Sequence, residues 1–200
     1  MIHGYYFITD HSLSRQGVIN DVKDAVAAGA KAVQYRNKVS NTHDMYREAC
    51  ELRKICKDIP FIINDRVDIA LASDADGVHL GSQDLPYDAA RDLMGKFRIV
   101  GITVRNVEDA VMMEREGADY LGVGPIYPTT TKGTLVDPIG VEMLRDIKKA
   151  CHVPIAAIGG VSLNNVQEVL DAGADVVCAL SAVITADDIK AEVAKFCKLF

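Results

Sequence analysis

The feature that most limits the fold of this chain is an eightfold alternation of two hydrophobic patterns along its 200 residues. Short apolar runs, typical of buried strands, alternate with segments whose apolar residues recur at helical spacing. Each strand-plus-helix unit takes about 25 residues, the lower end for a (β/α)8 barrel. The predicted strands cover 5–9, 32–36, 60–63, 77–80, 99–103, 120–123, 154–158 and 176–179. The predicted helices cover 18–26, 45–56, 67–72, 88–94, 107–116, 141–147, 166–170 and 189–196, with Thr42 as N-cap of the second.

A partial internal repeat supports the barrel. Gly29, Gly117 and Gly173 each stop a predicted helix just before the next strand, as a short αβ loop requires. The alternative is an open doubly wound sheet, which would usually need a glycine-rich motif after the first strand, where 9–12 read Thr-Asp-His-Ser. No Ser/Gly/Pro-rich linker divides the chain, so we predict a single (β/α)8 TIM-barrel domain over residues 1–200.

Composition narrows the class of protein. A net charge of −6 without any basic run argues against nucleic acid as a partner. No apolar stretch reaches the roughly 20 residues that span a bilayer, and the first residues lack the pattern of a secretory signal. The five cysteines are scattered without a CxxC pair, which favours reduced core residues and a cytoplasmic location. The dispersed histidines do not resemble a zinc site.

The stretch Tyr120 to Gly133 carries the first functional signal. Its apolar strand is stopped by Gly124, Pro125 and a second proline, and a run of three threonines, a lysine and a glycine follows. Such a run after a buried strand could hold an anion such as phosphate. A polar surface loop with a solvated lysine is the other interpretation.

Further polar residues follow the other strands, and in a barrel the carboxyl ends of all strands meet at one rim. Strand two ends with Gln34, Arg36 and Lys38 on one side of the strand, where a surface charge pair is the alternative. Strand three ends with Asn64 and Asp65, and strand four leads to Asp84. These two carboxylates suit Mg²⁺ that also takes phosphate oxygens, although Asp65 could cap a helix and Asp84 could form a turn.

The last two strands predict a phosphate pocket. Strand seven ends at Gly159-Gly160, and strand eight runs into Ala179-Leu180-Ser181-Ala182. Glycines allow a ligand to approach backbone N–H groups, and this part of a barrel frequently binds a phosphate monoester, although a tight turn would also need glycine. Two facing anion sites without an evident nucleophile or His/carboxylate dyad favour joining or splitting two phosphorylated molecules.

Five segments in register resemble the thiamine phosphate synthase family over essentially the whole chain. They are 34–38 (QYRNK), 63–65 (IND), 77–84 (GVHLGSQD), 122–132 (GVGPIYPTTTK) and 157–160 (AIGG). The resemblance implies that hydroxymethylpyrimidine diphosphate and thiazole phosphate give thiamine phosphate and diphosphate with Mg²⁺, through a pyrimidine cation that the thiazole nitrogen captures.

The resemblance also implies roles for individual residues. Arg36, Lys38, Asn64 and Lys132 would hold the diphosphate, and Asp65 and Asp84 would hold Mg²⁺. Gln34 and Thr103 would flank the pyrimidine. The residues that would hold the thiazole phosphate are Thr129, Thr131, Gly160, Leu180 and Ser181.

The chain departs from the family at three places. Thr103 stands where the family usually has Ser, Arg105 where it has His, and Gly133-Thr134-Leu135 where Lys or Asp residues are common. A related thiazole tautomerase is one alternative, but it uses His at the position of Arg105 and lacks the threonine-lysine loop. A non-catalytic phosphate-binding barrel is another alternative. The presence of both candidate metal-binding carboxylates, Asp65 and Asp84, argues against it. The expected partners are the two small substrates, and a homo-oligomer is left open.

Overall fold

Eight parallel strands form a closed barrel in the computed structural model, which describes residues 2–129 and 136–200. Each strand pairs with the next in the chain, and the last pairs with the first. The strands are β1 (Gly4–Ile8), β2 (Ala32–Tyr35), β3 (Phe61–Asn64), β4 (Gly77–Leu80), β5 (Ile99–Val104), β6 (Tyr120–Val123), β7 (Ile155–Ile158) and β8 (Val176–Cys178). The predicted (β/α)8 barrel is therefore confirmed.

Helices follow the strands and cover the outside of the barrel. The first helix buries Val18, Val22 and Ala25, the i, i+4, i+7 face that an amphipathic helix turns to a sheet. Among the described residues, no helix is long and apolar enough to cross a membrane. The helices are α1 (Val18–Ala27), α2 (Thr42–Ile55), α3 (Val67–Ala72), α4 (Tyr87–Met94), α5 (Val107–Glu116), α6 (Gly140–Ala150), α7 (Val166–Asp171), α8 (Leu180–Ile184) and α9 (Ile189–Cys197).

Two local predictions were wrong. The N-cap of α2 is Asn41 rather than Thr42, because the Asn41 side chain accepts the Asp44 N–H at 3.0 Å. Strand eight ends at Cys178, and Leu180 and Ser181 open the short helix α8 instead of extending the strand. A five-residue helix is too short to show the periodicity on which sequence reading depends.

The hydrophobic core has two layers, and strand alternation assigns residues to them. Tyr6 and Ile8 of β1 point into the barrel, whereas Tyr5 and Phe7 pack against the surrounding helices. The inner layer consists of Ile2, Tyr6, Ile8, Ala32, Ile62, Tyr120, Ala156, Val176 and Cys178. The barrel interior is thus filled by side chains below the carboxyl rim rather than open as a channel.

At the amino end of the barrel, aspartates that precede a strand link the strand before it to a helix. Asp119, just before β6, accepts the backbone N–H of Val100 at 2.7 Å and pairs with Arg91 at 2.5 Å. Asp175, just before β8, accepts the N–H of Ile155 at 2.9 Å and pairs with Lys148 at 2.7 Å. Each carboxylate therefore ties the start of the preceding strand to a helix.

Asp76, just before β4, makes a third pair of contacts of this kind, although the sequence repeat did not include this turn. It accepts the N–H of Phe61 at 2.8 Å and pairs with Arg53 at 3.1 Å. The glycine of the repeat is replaced here by Asp74, which takes a positive φ of 54°. Aspartate tolerates this left-handed conformation better than most residues, so the same turn forms without glycine.

Candidate active site

A pocket of about 450 Å³ opens at the carboxyl ends of the strands. The predicted site residues that the structure describes all line it, although they come from seven different strand ends. They are Gln34, Arg36, Lys38, Asn64, Asp65, Asp84, Thr103, Thr129, Gly160, Leu180 and Ser181. The remaining two, Thr131 and Lys132, lie outside the described residues.

Arg36 is fixed against one wall of the pocket. Its guanidinium Nη1 donates to the Asp10 carboxylate, and its backbone N–H donates to Thr9 Oγ1 at 2.8 Å. The side chains of Arg36 and Asp10 are only 14% and 6% exposed, so this is a largely buried ion pair. Asp10 is in turn held by the Ser12 N–H at 2.9 Å. The guanidinium is therefore oriented before any ligand arrives.

Two carboxylates and a lysine meet on the neighbouring wall. Lys38 Nζ donates to Asp65, and Asp84 accepts the backbone N–H of Gly81 at 2.7 Å. Burial, together with a hydrogen bond and charge repulsion from Asp84, raises the pKa of Asp65 despite the neighbouring Lys38. Asp65 does not cap α3, whose N-cap is Arg66, and it adopts a positive φ of 63°. The backbone is thus bent where it directs this carboxylate into the pocket.

The carboxylate pair is compatible with a magnesium ion. No group of three or more His, Cys, Asp or Glu side chains that could hold a metal exists among residues 2–129 and 136–200. Mg²⁺ does not require such a cage, because it usually keeps waters and binds through one or two carboxylates plus substrate phosphates. Asp65 and Asp84 lie close enough to repel each other, a charge arrangement that a divalent cation would relieve.

The opposite wall is built from a glycine turn packed on the start of the β6–α6 connection. Gly159 and Gly160 have φ values of 93° and 66°. A Cβ atom on Gly160 would lie 2.7 Å from the carbonyl oxygen of Pro128, and one on Gly159 would lie 2.4 Å from Cβ of Pro125. Only glycine therefore fits at both positions, and the turn lines the pocket together with Thr129.

Sequence reasoning assigned no role to several polar residues that line the pocket. Tyr6, His79 and Tyr120 form its floor and are linked by hydrogen bonds. Period-two alternation on β1 and β4 could have placed Tyr6 and His79 inside the barrel, but it could not show that they meet. Arg105, noted only as a departure from the family, donates to the carbonyl of Asp137 at 2.6 Å.

A closed parallel barrel with a charged pocket at its carboxyl rim is typical of enzymes of the (β/α)8 class. Comparisons with known proteins give the family. The sequence model of thiamine monophosphate synthase matches residues 5–183. The chain therefore belongs to the thiamine monophosphate synthase family.

Individual relatives agree over nearly their full lengths. A thiamine-phosphate synthase of Methanosarcina barkeri is 45% identical over 96% of this chain and 88% of its own. One from Methanospirillum hungatei is 47% identical over 98% of this chain and 97% of its own. The solved thiamine phosphate pyrophosphorylase of Pyrococcus furiosus superposes with a TM-score of 0.90 at 38% identity, covering 98% of this chain and 94% of that one.

A more distant structure supports the fold alone. The (S)-3-O-geranylgeranylglyceryl phosphate synthase of Thermoplasma acidophilum has a TM-score of 0.69 at 15% identity, over 97% of this chain and 91% of that one. The predicted family and fold are both confirmed. The chain is a transferase of thiamine biosynthesis with thiamine-phosphate synthase activity, and neither the tautomerase nor the non-catalytic barrel is favoured.

Proposed function

We propose that this pocket joins hydroxymethylpyrimidine diphosphate to thiazole phosphate and releases thiamine phosphate and diphosphate. The observation that carries the proposal is the division of one pocket into two unlike walls. One wall gathers Arg36, Lys38 and the Asp65–Asp84 pair, and the other offers a glycine turn and hydroxyl groups. Two phosphorylated substrates could therefore bind at once with their reactive ends between the walls.

The charged wall suits the diphosphate. The Arg36 guanidinium and the Lys38 ammonium would neutralise its oxygens, and the Asn64 amide could donate a further hydrogen bond. Lys132, outside the described residues, is proposed as a third cation. Asp65 and Asp84 would hold Mg²⁺, which when bound supplies positive charge to the diphosphate oxygens. Lys38 would then exchange its contact with Asp65 for the ligand.

The chemical step needs little from the protein beyond charge and position. The bond between the pyrimidine methylene carbon and the diphosphate oxygen breaks, and its electron pair leaves with the diphosphate. Arg36 and Lys38 stabilise the negative charge that develops on this leaving group. The thiazole nitrogen then donates its lone pair to the methylene cation, so no side chain has to remove a proton to start the reaction. Gln34 and Thr103 would flank the pyrimidine.

The uncharged wall suits the thiazole phosphate. Gly160 has no side chain, so a ligand could approach its backbone closely. Ser181, at the start of α8, offers its hydroxyl together with the backbone of Leu180. Thr129 lies on the rim between this wall and the connection that continues to Thr131. Hydroxyls and backbone amides bind a phosphate monoester without needing another cation. A cytoplasmic location and the state of assembly remain predictions.

The test is diphosphate release measured with each substrate alone and with both, in the presence of Mg²⁺ and after its removal by a chelator. We expect release only with both substrates and the metal. Asp65→Ala should lower kcat by about 10²–10³-fold, the usual effect of removing one group that acts on developing charge. Asp68→Ala is a matched control, because Asp68 lies on the exposed side of α3 and pairs with Arg66.

Two results would contradict the proposal. Release from the pyrimidine substrate alone at the full rate would show that the thiazole phosphate is not the acceptor. Equal kcat values for Asp65→Ala and Asp68→Ala would remove Asp65 from the reaction.

A further inference from the structure

A continuous chain of hydrogen bonds crosses the floor of the pocket from β5 to β2. Thr103 Oγ1 lies 2.9 Å from His79 Nε2, and His79 Nδ1 lies 2.8 Å from the Tyr120 hydroxyl. The Tyr120 and Tyr6 hydroxyls are 3.2 Å apart, and Gln34 Nε2 donates to the Tyr6 hydroxyl at 3.1 Å. Both ends of this floor chain, Gln34 and Thr103, line the pocket.

The middle of the floor chain is rigidly packed. Tyr6 and Tyr120 are each 1% exposed, and the rings of His79 and Tyr120 stack with centroids 5.4 Å apart. Space for these rings comes from glycines on β5 and β6. A Cβ atom on Gly101 would lie 2.1 Å from the Tyr120 ring, and one on Gly122 would lie 2.8 Å from His79 Cε1. The hydroxyls therefore cannot turn to partners elsewhere without repacking the barrel interior.

Each tyrosine contributes a single proton to the floor chain. Burial raises the pKa of the Tyr6 and Tyr120 hydroxyls, so both stay protonated at neutral pH. A phenol has one O–H to donate and can accept as well. The direction of every bond then follows from the orientation of the Gln34 amide, which turns its Nε2 donor to the Tyr6 hydroxyl.

The proton positions can be assigned in order along the floor chain. Tyr6 accepts from Gln34, so its own proton goes to Tyr120, the neighbouring hydroxyl. Tyr120 then has its proton left for His79 Nδ1. An imidazole nitrogen that accepts a hydrogen bond carries no proton, so the proton of His79 is on Nε2 and is donated to Thr103.

The opposite direction leaves a buried group unsatisfied. If His79 Nδ1 donated to Tyr120, the Tyr120 proton would go to Tyr6. The Tyr6 oxygen would then accept from both Tyr120 and Gln34, and its own proton would have no acceptor within the described part of the chain. A buried polar group without a partner costs about 1–3 kcal/mol. With the Gln34 amide in this orientation, the first direction gives the hydroxyl protons of Tyr6 and Tyr120 an acceptor each and is favoured by that amount.

We propose that Tyr6, Tyr120 and His79 are positioning residues. They fix which hydrogen-bonding groups Gln34 and Thr103 present to the pyrimidine on its two sides. The floor chain holds His79 with Nδ1 as acceptor from Tyr120 and Nε2 as donor to Thr103. The Gln34 carbonyl oxygen is then left to accept from the ligand, and the Thr103 hydroxyl proton is left to be donated to it. This inference rests on the proposed function for the identity of the ligand.

An aminopyrimidine matches this polarity. Its exocyclic amine offers N–H donors, and its ring nitrogens accept. A ring with an oxo group in place of the amine would present an acceptor to the Gln34 carbonyl oxygen, so it would leave both groups unpaired. Sites built to hydrogen-bond one pattern reject the analogue that lacks it, because their own polar groups are then unsatisfied. The floor chain would thus help select the amino form.

The first test reads the tautomer directly in the ligand-free full chain. Nitrogen NMR of protein with ¹⁵N-labelled histidine distinguishes a protonated ring nitrogen from an accepting one. The chain has five histidines, and a His79→Gln sample identifies the His79 signals by their loss. We expect a proton on Nε2 and an accepting Nδ1. A proton on Nδ1, or an equal mixture of tautomers, would overturn the proposal whether or not the enzyme is active.

The second test separates positioning from folding. Tyr120→Phe removes one hydroxyl and keeps the ring, and we expect the KM for the pyrimidine diphosphate to rise about 5- to 10-fold, the loss of one hydrogen bond. The KM for thiazole phosphate should stay unchanged, and the His79 tautomers should become mixed. Tyr87→Phe is the matched control, because Tyr87 is also buried but accepts from Arg91 on α4, outside the pocket.

The outcomes distinguish this inference from the proposed function. Equal effects of Tyr120→Phe and Tyr87→Phe on both KM values, with diphosphate still released only when both substrates are present, would refute the floor chain alone. Absence of that release in the wild type would refute the proposed substrates. The tautomer measurement would still decide the direction of the hydrogen bonds along the floor chain. If Tyr120→Phe does not fold, Tyr6→Phe gives the same comparison.

Discussion

Asp21 gives a prediction about stability that can be worked out from its surroundings. It lies on α1, is 0% exposed, and neither carboxylate oxygen has a hydrogen-bond partner within residues 2–129 and 136–200. Burial raises the pKa of Asp21, and Asp24 adds repulsion; the side chains of Ser14 and Gln16 lie near enough to offset part of this shift, although neither reaches hydrogen-bonding geometry with the carboxylate. His11 is the nearby group that lowers it by charge. We expect Asp21→Asn, which keeps the shape and removes the charge, to stabilise the protein.

The magnitude follows from the cost of a buried unpaired group. A neutral unpaired group costs about 1–3 kcal/mol and a charged one more. Asp21→Asn leaves a neutral group in place, so the free energy of unfolding at pH 7 should rise only by the excess cost of the charge, on the order of 1 kcal/mol. The sign depends on pH. Because the folded-state pKa of Asp21 is raised, the folded wild type binds more protons than its unfolded chain, and acid stabilises it relative to the variant.

The difference between wild type and Asp21→Asn should therefore vanish below the unfolded pKa of about 3.9. It should grow as pH rises through the raised folded pKa, by no more than about 1.4 kcal/mol per pH unit, and then level off. Urea unfolding of both proteins between pH 3.5 and 8 measures it, if roughly one point is taken per half unit. Asp24→Asn is the matched control, because Asp24 lies on the same helix and accepts from Gln16 Nε2 at 2.8 Å.

Two outcomes would refute the reasoning about Asp21. If Asp21→Asn were less stable than wild type at pH 7, the carboxylate would have a favourable partner that the geometry lacks. A stability difference independent of pH would show that charge is not its cause.

Three further predictions concern the barrel and its rim. Gly101→Ala should destabilise the protein by about 1–3 kcal/mol in urea unfolding, because its Cβ would lie 2.1 Å from the Tyr120 ring; an unchanged midpoint would show that the ring can move freely. Asp119→Ala should lower stability by about 1–3 kcal/mol with unchanged kcat, since it acts at the amino end; a loss of kcat in fully folded protein would contradict this. Ser181→Ala should raise the KM for thiazole phosphate about tenfold and leave the KM for the pyrimidine diphosphate unchanged; the reverse pattern would move the phosphate site away from α8.

The fold could be predicted because repetition supplies redundant information. Eight similar units each carry the strand and helix patterns, so an uncertain unit such as 67–72 is supported by its neighbours. That the site residues come together could be predicted from the geometry of a barrel rather than from any local sequence pattern. In a parallel barrel every strand end reaches the same rim, so Arg36, Asp65 and Ser181 meet although they are far apart in sequence.

Other features depend on contacts that sequence patterns do not encode. The Asp10–Arg36 ion pair joins adjacent strand ends, and either residue alone is equally consistent with a solvent-exposed charge. The floor chain needs the inward faces of several strands at matching heights, which is a property of barrel register. Tyr120 illustrates the difficulty, because an apolar strand residue is expected to fill the core and here also carries a hydrogen-bonding role.

The aspartates at the amino end have a consequence for how the molecule divides its tasks. Each contact from Asp76, Asp119 or Asp175 to a strand N–H spans only 15 to 20 residues. Such short-range closures lose little chain entropy, so consecutive strand pairs can be secured as separate modules before the circle is complete. These contacts lie at the end of the barrel opposite the pocket. The opposite rim, by contrast, carries the positive-φ turns at Asp65 and Gly159-Gly160 and the repelling pair of Asp65 and Asp84.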